Sequence, residues 1–384
     1  MGWFFAVAVI TSLIIASYLG FRSINLFNLG KQGYFNSTAK KILWLVIILG
    51  SLSFALSRLL LPISNYWFPL IGNIIFSLIL CLFYSIIIID IIRLILYLIF
   101  RQTARYRLAL QIAYIAMAMV FFIVGLYMAS SPRIVHYQIT IDKPAQVKQL
   151  RIVQLSDIHI SETTSKHFIQ TMVNDVNRLK PDYIFITGDT LDQRLQPYLD
   201  KNLAEQFAQL KATYGTFIIF GNHEHYGIQR DENNSNAEVV SAFTASNMKV
   251  LQDSTFYDNA TGITIIGRDD YVVKNFGKTR AELPTLLSFA DEHKPIILLD
   301  HQPRNLIEPA NLGIDVMFSG HTHAGQVFPM TLIVNAMYKN AWGIDSPVVN
   351  NPFTSIVTSG YGLWGPPIRL MTRSEIVVTE LNFK

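Results

Sequence analysis

The sequence predicts an all-α transmembrane region followed by a domain of the layered α/β class. The mean hydropathy of +0.32 is unusually high for a soluble protein. Four long apolar stretches lie in the first third of the chain, and strand-like and helical patterns alternate after it. At 384 residues the chain is long enough for two domains. We expect a membrane domain at 1–130, a linker with the first strand at 131–147, and the α/β domain at 148–384.

The four apolar stretches are each long enough to cross the hydrocarbon core, which takes about 20 apolar residues. Four such runs so close together favour membrane helices over the buried helices of a soluble protein. A cleaved signal peptide is not expected, because residues 1–19 lack a basic start and a small-residue cleavage site. The four stretches cover 2–19, 42–61, 67–89 with a continuation towards 100, and 108–128.

Basic residues are concentrated in two of the three connections between these stretches. The second connection, around 62–66, carries no charge. Because basic loops stay in the cytoplasm, we expect the chain after Met128 to face away from it, in a multi-pass protein of the cell membrane. The basic residues are Arg22, Lys31, Lys40 and Lys41 in the first connection and Arg101, Arg105 and Arg107 in the third.

Three charged residues, Arg58, Asp90 and Arg93, lie at or near membrane depth. Asp90 and Arg93 are three apart and would share one helical face. They could form a polar site between helices or an ion pair that closes the third span. We favour the ion pair, because Asp90 follows 23 uncharged residues that already cross the core.

The second part of the chain is mildly acidic. Residues 1–130 hold nine Lys/Arg and one acid; subtracting these from the totals of 31 and 27 leaves 22 basic and 26 acidic residues, a net of −4. Binding to a nucleic-acid backbone needs a basic face, so no nucleic-acid partner is expected. The single cysteine, Cys81, allows no disulfide within the chain and supplies no thiolate ligand to this part.

The α/β domain shows its elements in the spacing of its apolar residues. Between Phe168 and Leu179 these recur at helical spacing, and Pro181 ends that helix. Further helices are expected at 200–211, 238–247 and 279–293. The expected strands are 139–141, 150–155, 183–187, 216–220, 250–256, 263–267, 296–299, 316–318, 354–358 and 375–381.

Five short clusters of metal-binding side chains follow the strand-like runs, and five of the nine histidines fall in them. Ligands gather at the carboxyl ends of strands in such folds. Positions i and i+2 of an extended segment point the same way, so Asp157 and His159 are expected to reach one ion, and His321 and His323 alternate in the same manner. Imidazole and carboxylate suit Zn, Mn or Fe. The clusters are Asp157 with His159, Asp189 through Asp192, Asn222-His223-Glu224, His301, and His321 with His323.

These clusters in this order resemble the calcineurin-like metallophosphoesterase superfamily, over about 148–384. The run VQLSDIH at 153–159, GHTHxGQ at 320–326 and the segment 360–369 look most like bacterial membrane-associated members. The resemblance implies a four-layer α/β/β/α sandwich of two mixed sheets. It also implies that two divalent ions, Mn, Fe or Zn, hydrolyse a phosphoester or pyrophosphate bond.

The resemblance further implies a role for each residue of the clusters. His223 would protonate the leaving group or stabilise the developing charge, with Glu224 beside it, and Asp192 would orient its neighbours. One metal would be held by Asp157, His159, Asp189 and His323, and the second by Asp189, Asn222, His301 and His321.

Two departures from the family pattern leave this ligand set complete. Ala324 stands where the membrane-associated members usually have glycine, and Asp300 stands where a serine more often precedes the histidine. Asp300 could bond a ring nitrogen of a nearby histidine or could be a solvated strand end.

Three arginines beside the motif loops, Arg268, Arg304 and Arg369, are candidates to bind phosphate, and Arg369 is our first choice. The apolar segment 327–343, with Trp364, either flanks the site and admits a lipid phosphate headgroup or is ordinary core. The expected function is a membrane-anchored phosphatase, phosphodiesterase or pyrophosphatase, whose partners are a phosphate-containing substrate and membrane lipids. The alternative is a membrane sensor or transporter-associated protein whose outer domain is a regulatory binding module.

Overall fold

The computed structural model describes residues 2–27, 37–59, 67–101, 103–230 and 235–384. The chain divides into two compact units. The first comprises residues 1–127 with 365–368, and the second comprises 128–364 with 369–384. Lys31 and the second connection, around 62–66, lie outside the described residues.

The first unit contains four helices that are long and apolar enough to cross a membrane, so this is a multi-pass membrane protein. Many of their large apolar side chains face outward, such as Ile14, which is 62% exposed. In a bilayer these side chains contact the apolar lipid tails. The helices are α1 (Gly2–Phe27), α2 (Ser37–Leu59), α3 (Trp67–Phe100) and α4 (Arg107–Ser130), the last preceded by a 3-10 turn at Ala104–Tyr106.

Asp90 on α3 is the centre of a polar cluster in this unit. Its carboxylate accepts hydrogen bonds from the Arg22 guanidinium of α1 and, at 2.8 Å, from the Tyr18 hydroxyl. Nη1 of Arg93 lies 3.6 Å from the same carboxylate. The ion pair favoured from the sequence is therefore present, but its main partner is Arg22, which lies within α1 and not in the connection where we expected it.

The second unit is a sandwich of two six-stranded mixed sheets, which confirms the predicted fold class. The first sheet has the order β1-β12-β2-β3-β4-β5 and the second β10-β11-β9-β8-β7-β6. The strands are β1 (Arg133–Ile141), β2 (Gln149–Leu155), β3 (Tyr183–Thr187), β4 (Gly215–Ile219), β5 (Met248–Val250), β6 (Ser254–Asp258), β7 (Ile263–Gly267), β8 (Ile296–Leu299), β9 (Val316–Ser319), β10 (Gly343–Asp345), β11 (Thr354–Val357) and β12 (Glu375–Phe383).

Helices cover the outer faces of both sheets. Apolar residues of α5 face the first sheet at helical spacing, and Ser165 caps this helix by accepting a hydrogen bond from the Phe168 amide. The second sheet is covered on its outer face by α10 and α11. The helices are α5 (Lys166–Arg178), α6 (Gln196–Asp200), α7 (Ala204–Phe207), α8 (Asn222–Arg230), α9 (Asn236–Thr244), α10 (Leu283–Leu287), α11 (Ile307–Asn311) and α12 (Met330–Met337), with 3-10 turns at Tyr271–Phe276 and His323–Gly325.

The layer between the two sheets is an apolar core. Phe185 and Phe217 of the first sheet pack in it with Leu299 and Phe318 of the second. Such close-packed layers resist displacement of the strands. The strand ends are therefore a rigid base for the loops that follow them.

Among the predicted elements, three are shortened or broken in the structure. Of the helix expected at 200–211 only α7 forms; α6 ends at Asp200, and Asn202 between the two helices takes a left-handed φ of 50°. The strand expected at 250–256 breaks into β5 and β6 around Asp253, whose φ is 45°. The helix expected at 279–293 is only α10, which begins after Glu282, a residue with extended backbone; the Ala281 amide before it donates to the Asp253 carboxylate at 2.8 Å.

Candidate metal centre

The five predicted clusters directly follow five strands. Strands β2, β3 and β4 are neighbours in the first sheet, and β8 and β9 are neighbours in the second. The ends of these strands come together, and side chains that are far apart along the chain form three groups that could hold metal ions. The groups are Asp157, His159 and His323; Asp189, His301 and His321; and His159, Asp192 and His223.

The first group is a carboxylate facing two imidazoles. Nε2 of His323 lies 3.3 Å from Oδ1 of Asp157. Nε2 of His159 lies 3.0 Å from Nε2 of His323. All three residues are buried. Two imidazole nitrogens directed at each other beside a carboxylate oxygen form a donor set that suits a divalent cation.

The second group is arranged around Asp189. Its Oδ2 lies 3.2 Å from Nε2 of His301. Nδ1 of His301 lies 2.7 Å from the Thr187 carbonyl oxygen; a proton on Nδ1 donated to that carbonyl leaves Nε2 free to act as a ligand. The His321 ring lies beside it, with 5.1 Å between the ring centroids. The Asp189 carboxylate also lies 3.9 Å from Nε2 of His159, so it stands between the two groups.

The third group places His223 beside the centre. Nδ1 of His223 lies 3.1 Å from Oδ1 of Asp192, and the same oxygen lies 3.7 Å from Nδ1 of His159. The ring centroids of His159 and His223 are 4.7 Å apart. Asp192 therefore lies beside two imidazoles of the centre.

Asn222, the first residue of α8, carries a buried side-chain oxygen. This oxygen makes no hydrogen bond within the described residues. Burying an amide oxygen without a partner is costly, so the atom fits the position of a metal ligand. Gly221 before it is required, because a Cβ there would collide with the Asp189 side chain.

The backbone of the centre is left-handed at five of the predicted ligands. The sequence predicted extended segments here, and that local prediction was wrong. Each strand ends in an abrupt turn, and the turns direct the side chains into the centre. Such conformations cost roughly 1–3 kcal/mol each and cluster at functional sites. The φ values are 54° at Asp157, 51° at His159, 51° at Asp189, 71° at His321 and 50° at His323.

Glu224 holds the loops together and does not reach into the centre from beside His223. Its fully buried carboxylate accepts hydrogen bonds from the backbone amides of Asp189 at 3.0 Å, Leu191 at 2.9 Å and Gly221 at 2.8 Å. These bonds link the loop after β3 to the loop after β4. Nothing in the sequence indicated this role, because it depends on two loops that meet only in the folded chain.

The charges of the centre are strongly coupled. Burial by itself would raise the pKa of Asp189 and lower that of His301, but the attraction between the two outweighs burial. The pKa of Asp189 therefore lies well below its usual range and that of His301 well above it. Burial, with the charges of His301 and Arg304, lowers the pKa of His321 to about 3. A cation would meet an ionised Asp189 and a neutral His321, and it would have to displace the proton from His301.

The three candidate arginines differ in their surroundings. Arg369 is fully buried and donates to the backbone carbonyls of His323, Ser359, Gly360 and Gly362, so it holds the ligand loop in place. Burial lowers the pKa of Arg369 to about 10.

Two other buried arginines share one carboxylate. Arg280, which the sequence did not single out, bonds the Asp300 carboxylate, and Nη1 of Arg268 lies 3.6 Å from it. Asp300 is therefore neither a solvated strand end nor a partner of a histidine ring, the two alternatives left open by the sequence. Of the three candidates, Arg304 alone has an exposed side chain.

Comparison with known proteins agrees with this geometry. Residues 150–325 match the family model of the calcineurin-like phosphoesterases. A metallophosphoesterase of Helicobacter pylori is 32% identical over 253 residues, which is 65% of this chain and 64% of that protein. A transmembrane protein with metallophosphoesterase domain from Danio rerio is 31% identical over 255 residues, covering 65% and 57% of the two chains. A Campylobacter jejuni metallophosphoesterase is 28% identical over 348 residues, 89% of each chain.

Among solved structures, GAP50, the anchor in the inner membrane complex of Plasmodium, matches with a TM-score of 0.35 and 16% identity, over 62% of this chain and 82% of that one. The sequence matches identify residues 150–325 as a calcineurin-like metallophosphoesterase domain, which in this chain follows apolar helices at the N-terminal end. The chain spans 64% of the length of the Helicobacter relatives.

Because Asp189 stands between the two groups, Asp189→Asn should weaken metal binding at both. We expect the purified protein to fall from about two ions per chain to about one or fewer, measured by elemental mass spectrometry. The same change at the exposed carboxylate of α6, Asp200→Asn, is the control and should leave the metal content unchanged. Equal metal content in Asp189→Asn and in the wild type would contradict the assignment.

Proposed function

We propose that the second unit hydrolyses a phosphoester or pyrophosphate bond with two divalent cations, on the side of the membrane away from the cytoplasm, and that a lipid-linked phosphate is its substrate. The observation that carries this proposal is the position of Asp189. Its carboxylate lies 3.2 Å from one imidazole and 3.9 Å from another, on two different groups of donors. One carboxylate can therefore serve two ions at once.

In this proposal the chain supplies oxygen and imidazole donors to each ion, a set that suits Mn, Fe or Zn. When bound, the two ions supply the charge that clamps phosphate oxygens and the acidity that activates an attacking water. One ion is held by Asp157, His159, Asp189 and His323, and the other by Asp189, Asn222, His301 and His321.

His223 acts on the leaving group in this proposal. Its ring is at the edge of the centre, and Nδ1 lies 3.1 Å from Oδ1 of Asp192. With Nδ1 beside Asp192, Nε2 is the ring nitrogen that we assign to the substrate side. Protonation of the leaving oxygen by a positioned imidazole is general acid catalysis.

His223→Ala should lower kcat for p-nitrophenyl phosphate by about 10²–10⁴-fold, because it removes the proposed general acid. The metal content should remain that of the wild type, since His223 is not a proposed ligand. The exposed His167 provides a matched control, and His167→Ala should retain full activity. A fully active His223→Ala would exclude this residue as the acid. The alternative function is a regulatory binding module. It would be favoured if the wild-type protein bound metal and phosphate but hydrolysed no member of a phosphoester panel.

The lipid part of the proposal is supported by α12. This helix follows the last ligand turn and carries exposed apolar side chains, with Leu332 at 59% and Met337 at 66% exposure. Tyr338, directly after the helix, packs its ring 6.0 Å from that of His321. The exposed apolar surface of α12 is thus continuous with a residue that packs on His321. The chain also carries helices that are long and apolar enough to cross a membrane.

Replacing both Leu332 and Met337 by serine should reduce kcat/KM for phosphatidic acid in mixed micelles by about tenfold or more, because the lost apolar area no longer meets the acyl chains. Turnover of p-nitrophenyl phosphate should change by less than about twofold. Phe289, which is 73% exposed on the same unit, provides the control Phe289→Ser. Equal losses on both substrates would count against access by lipid.

The orientation can be tested with single cysteines, because Cys81 is the one native cysteine and is buried. In a Cys81→Ala background, a maleimide that cannot cross membranes should label Lys384→Cys in intact cells. Arg101→Cys, in the third connection, should be labelled only after permeabilisation, because its basic neighbours hold that connection inside. The reverse pattern would place the second unit in the cytoplasm.

A further inference from the structure

Arg304 is an exposed arginine held in a defined position. It lies three residues after the proposed ligand His301 and does not belong to the proposed metal-binding set. Its Nε donates to Oε1 of Gln302 at 2.7 Å. Its guanidinium carbon lies 4.7 Å from the centroid of the Tyr271 ring, within the range of a cation–π contact.

The support of Arg304 is itself fixed. Gln302 is buried, and its amide nitrogen donates to both carboxylate oxygens of Asp270, at 2.9 and 3.1 Å. Asp270 also accepts from the Val272 amide at 2.8 Å, which begins the 3-10 turn that carries Tyr271. The guanidinium therefore loses little conformational freedom when it binds a further group, because Nε and the ring already hold it.

The free part of the guanidinium is its outer edge. Within the part of the chain that the structure describes, neither terminal nitrogen of Arg304 makes a hydrogen bond. The other two arginines that the sequence suggested for phosphate binding have partners within the protein. Arg268 lies beside the buried Asp300 carboxylate, and Arg369 donates to backbone carbonyls. Arg304 lies in the loop after β8, three residues from the proposed ligand His301, so its outer edge is near the second proposed ion.

We propose that the two terminal nitrogens of Arg304 bind a phosphate oxygen of the substrate at the rim of the metal centre, and that Gln302 and Tyr271 are positioning residues for it. The proposal rests on the proposed function and names a binding residue for it. A planar fork of two N–H donors matches two oxygens of one phosphate group. Arg304 would add a fixed positive charge on the solvent side of the buried imidazoles.

The test is the binding of inorganic phosphate to the metal-loaded full chain, measured by titration calorimetry. Arg304→Ala should raise the dissociation constant by about tenfold or more, because a charge-assisted hydrogen-bonded pair is lost. Arg304→Lys should recover part of the affinity, since it keeps the charge and loses the fork. The matched control is Arg178→Ala, at an exposed arginine of α5, which should bind phosphate as the wild type does.

A positioning role for Tyr271 predicts a graded result. Tyr271→Phe keeps the ring and should bind phosphate within about twofold of the wild type, whereas Tyr271→Ala should lose about threefold or more. In all variants the metal content and melting temperature should equal those of the wild type. Unchanged phosphate affinity in Arg304→Ala would overturn the proposal, as would a loss of affinity that accompanies a loss of metal.

Turnover separates this proposal from the function on which it rests. The KM of p-nitrophenyl phosphate should rise with the phosphate dissociation constant in Arg304→Ala, while kcat falls less. If the protein hydrolysed no phosphoester but its phosphate affinity depended on Arg304, the role of Arg304 in binding would be supported and the proposed hydrolase activity would be refuted. A wild-type protein that binds no phosphate would overturn the role of Arg304 directly.

Discussion

The buried carboxylate of Asp189 is the group around which the second unit is arranged. An ionised carboxylate removed from water needs hydrogen bonds and opposite charge around it. The Asp189 carboxylate accepts a hydrogen bond from the His223 backbone amide at 2.8 Å, and its Oδ2 lies 3.2 Å from Nε2 of His301. Its own amide is held by Glu224. The loops after β3, β4 and β8 therefore meet at one side chain, and a shift of any one of these loops would leave a buried charge without its partners.

The two sheets make this meeting possible. The aromatic and aliphatic layer between them holds β2, β3 and β4 opposite β8 and β9, so their ends form a common rim. At that rim the backbone takes left-handed conformations that an extended chain would avoid. The packed core stabilises these conformations, because relaxing a single turn would displace a strand that is buried on both faces.

The arginines show how strongly the surroundings determine what one side chain does. Arg268 and Arg280 neutralise the buried Asp300, whereas Arg369 holds the carbonyls of the loop that carries His323. Arg304 keeps its outer edge towards solvent. All four carry the same guanidinium, and neither their spacing nor their neighbours in sequence distinguish these roles.

The sequence by itself predicted the membrane helices and the layered α/β class, because apolar periodicity is a local property of the chain, and its resemblance to a known family implied the sandwich and the residues of the centre. It made the helix at 279–293 too long, since only Leu283–Leu287 is helical and the Ala281 amide before it bonds the Asp253 carboxylate. Only the tertiary structure decided that Asp189 stands between two groups, that Glu224 links two loops, that Arg22 pairs with Asp90, and that Arg369 is enclosed. Each of these joins residues that are distant in sequence or on separate loops, and their distances are set by the packing of the sheets and helices.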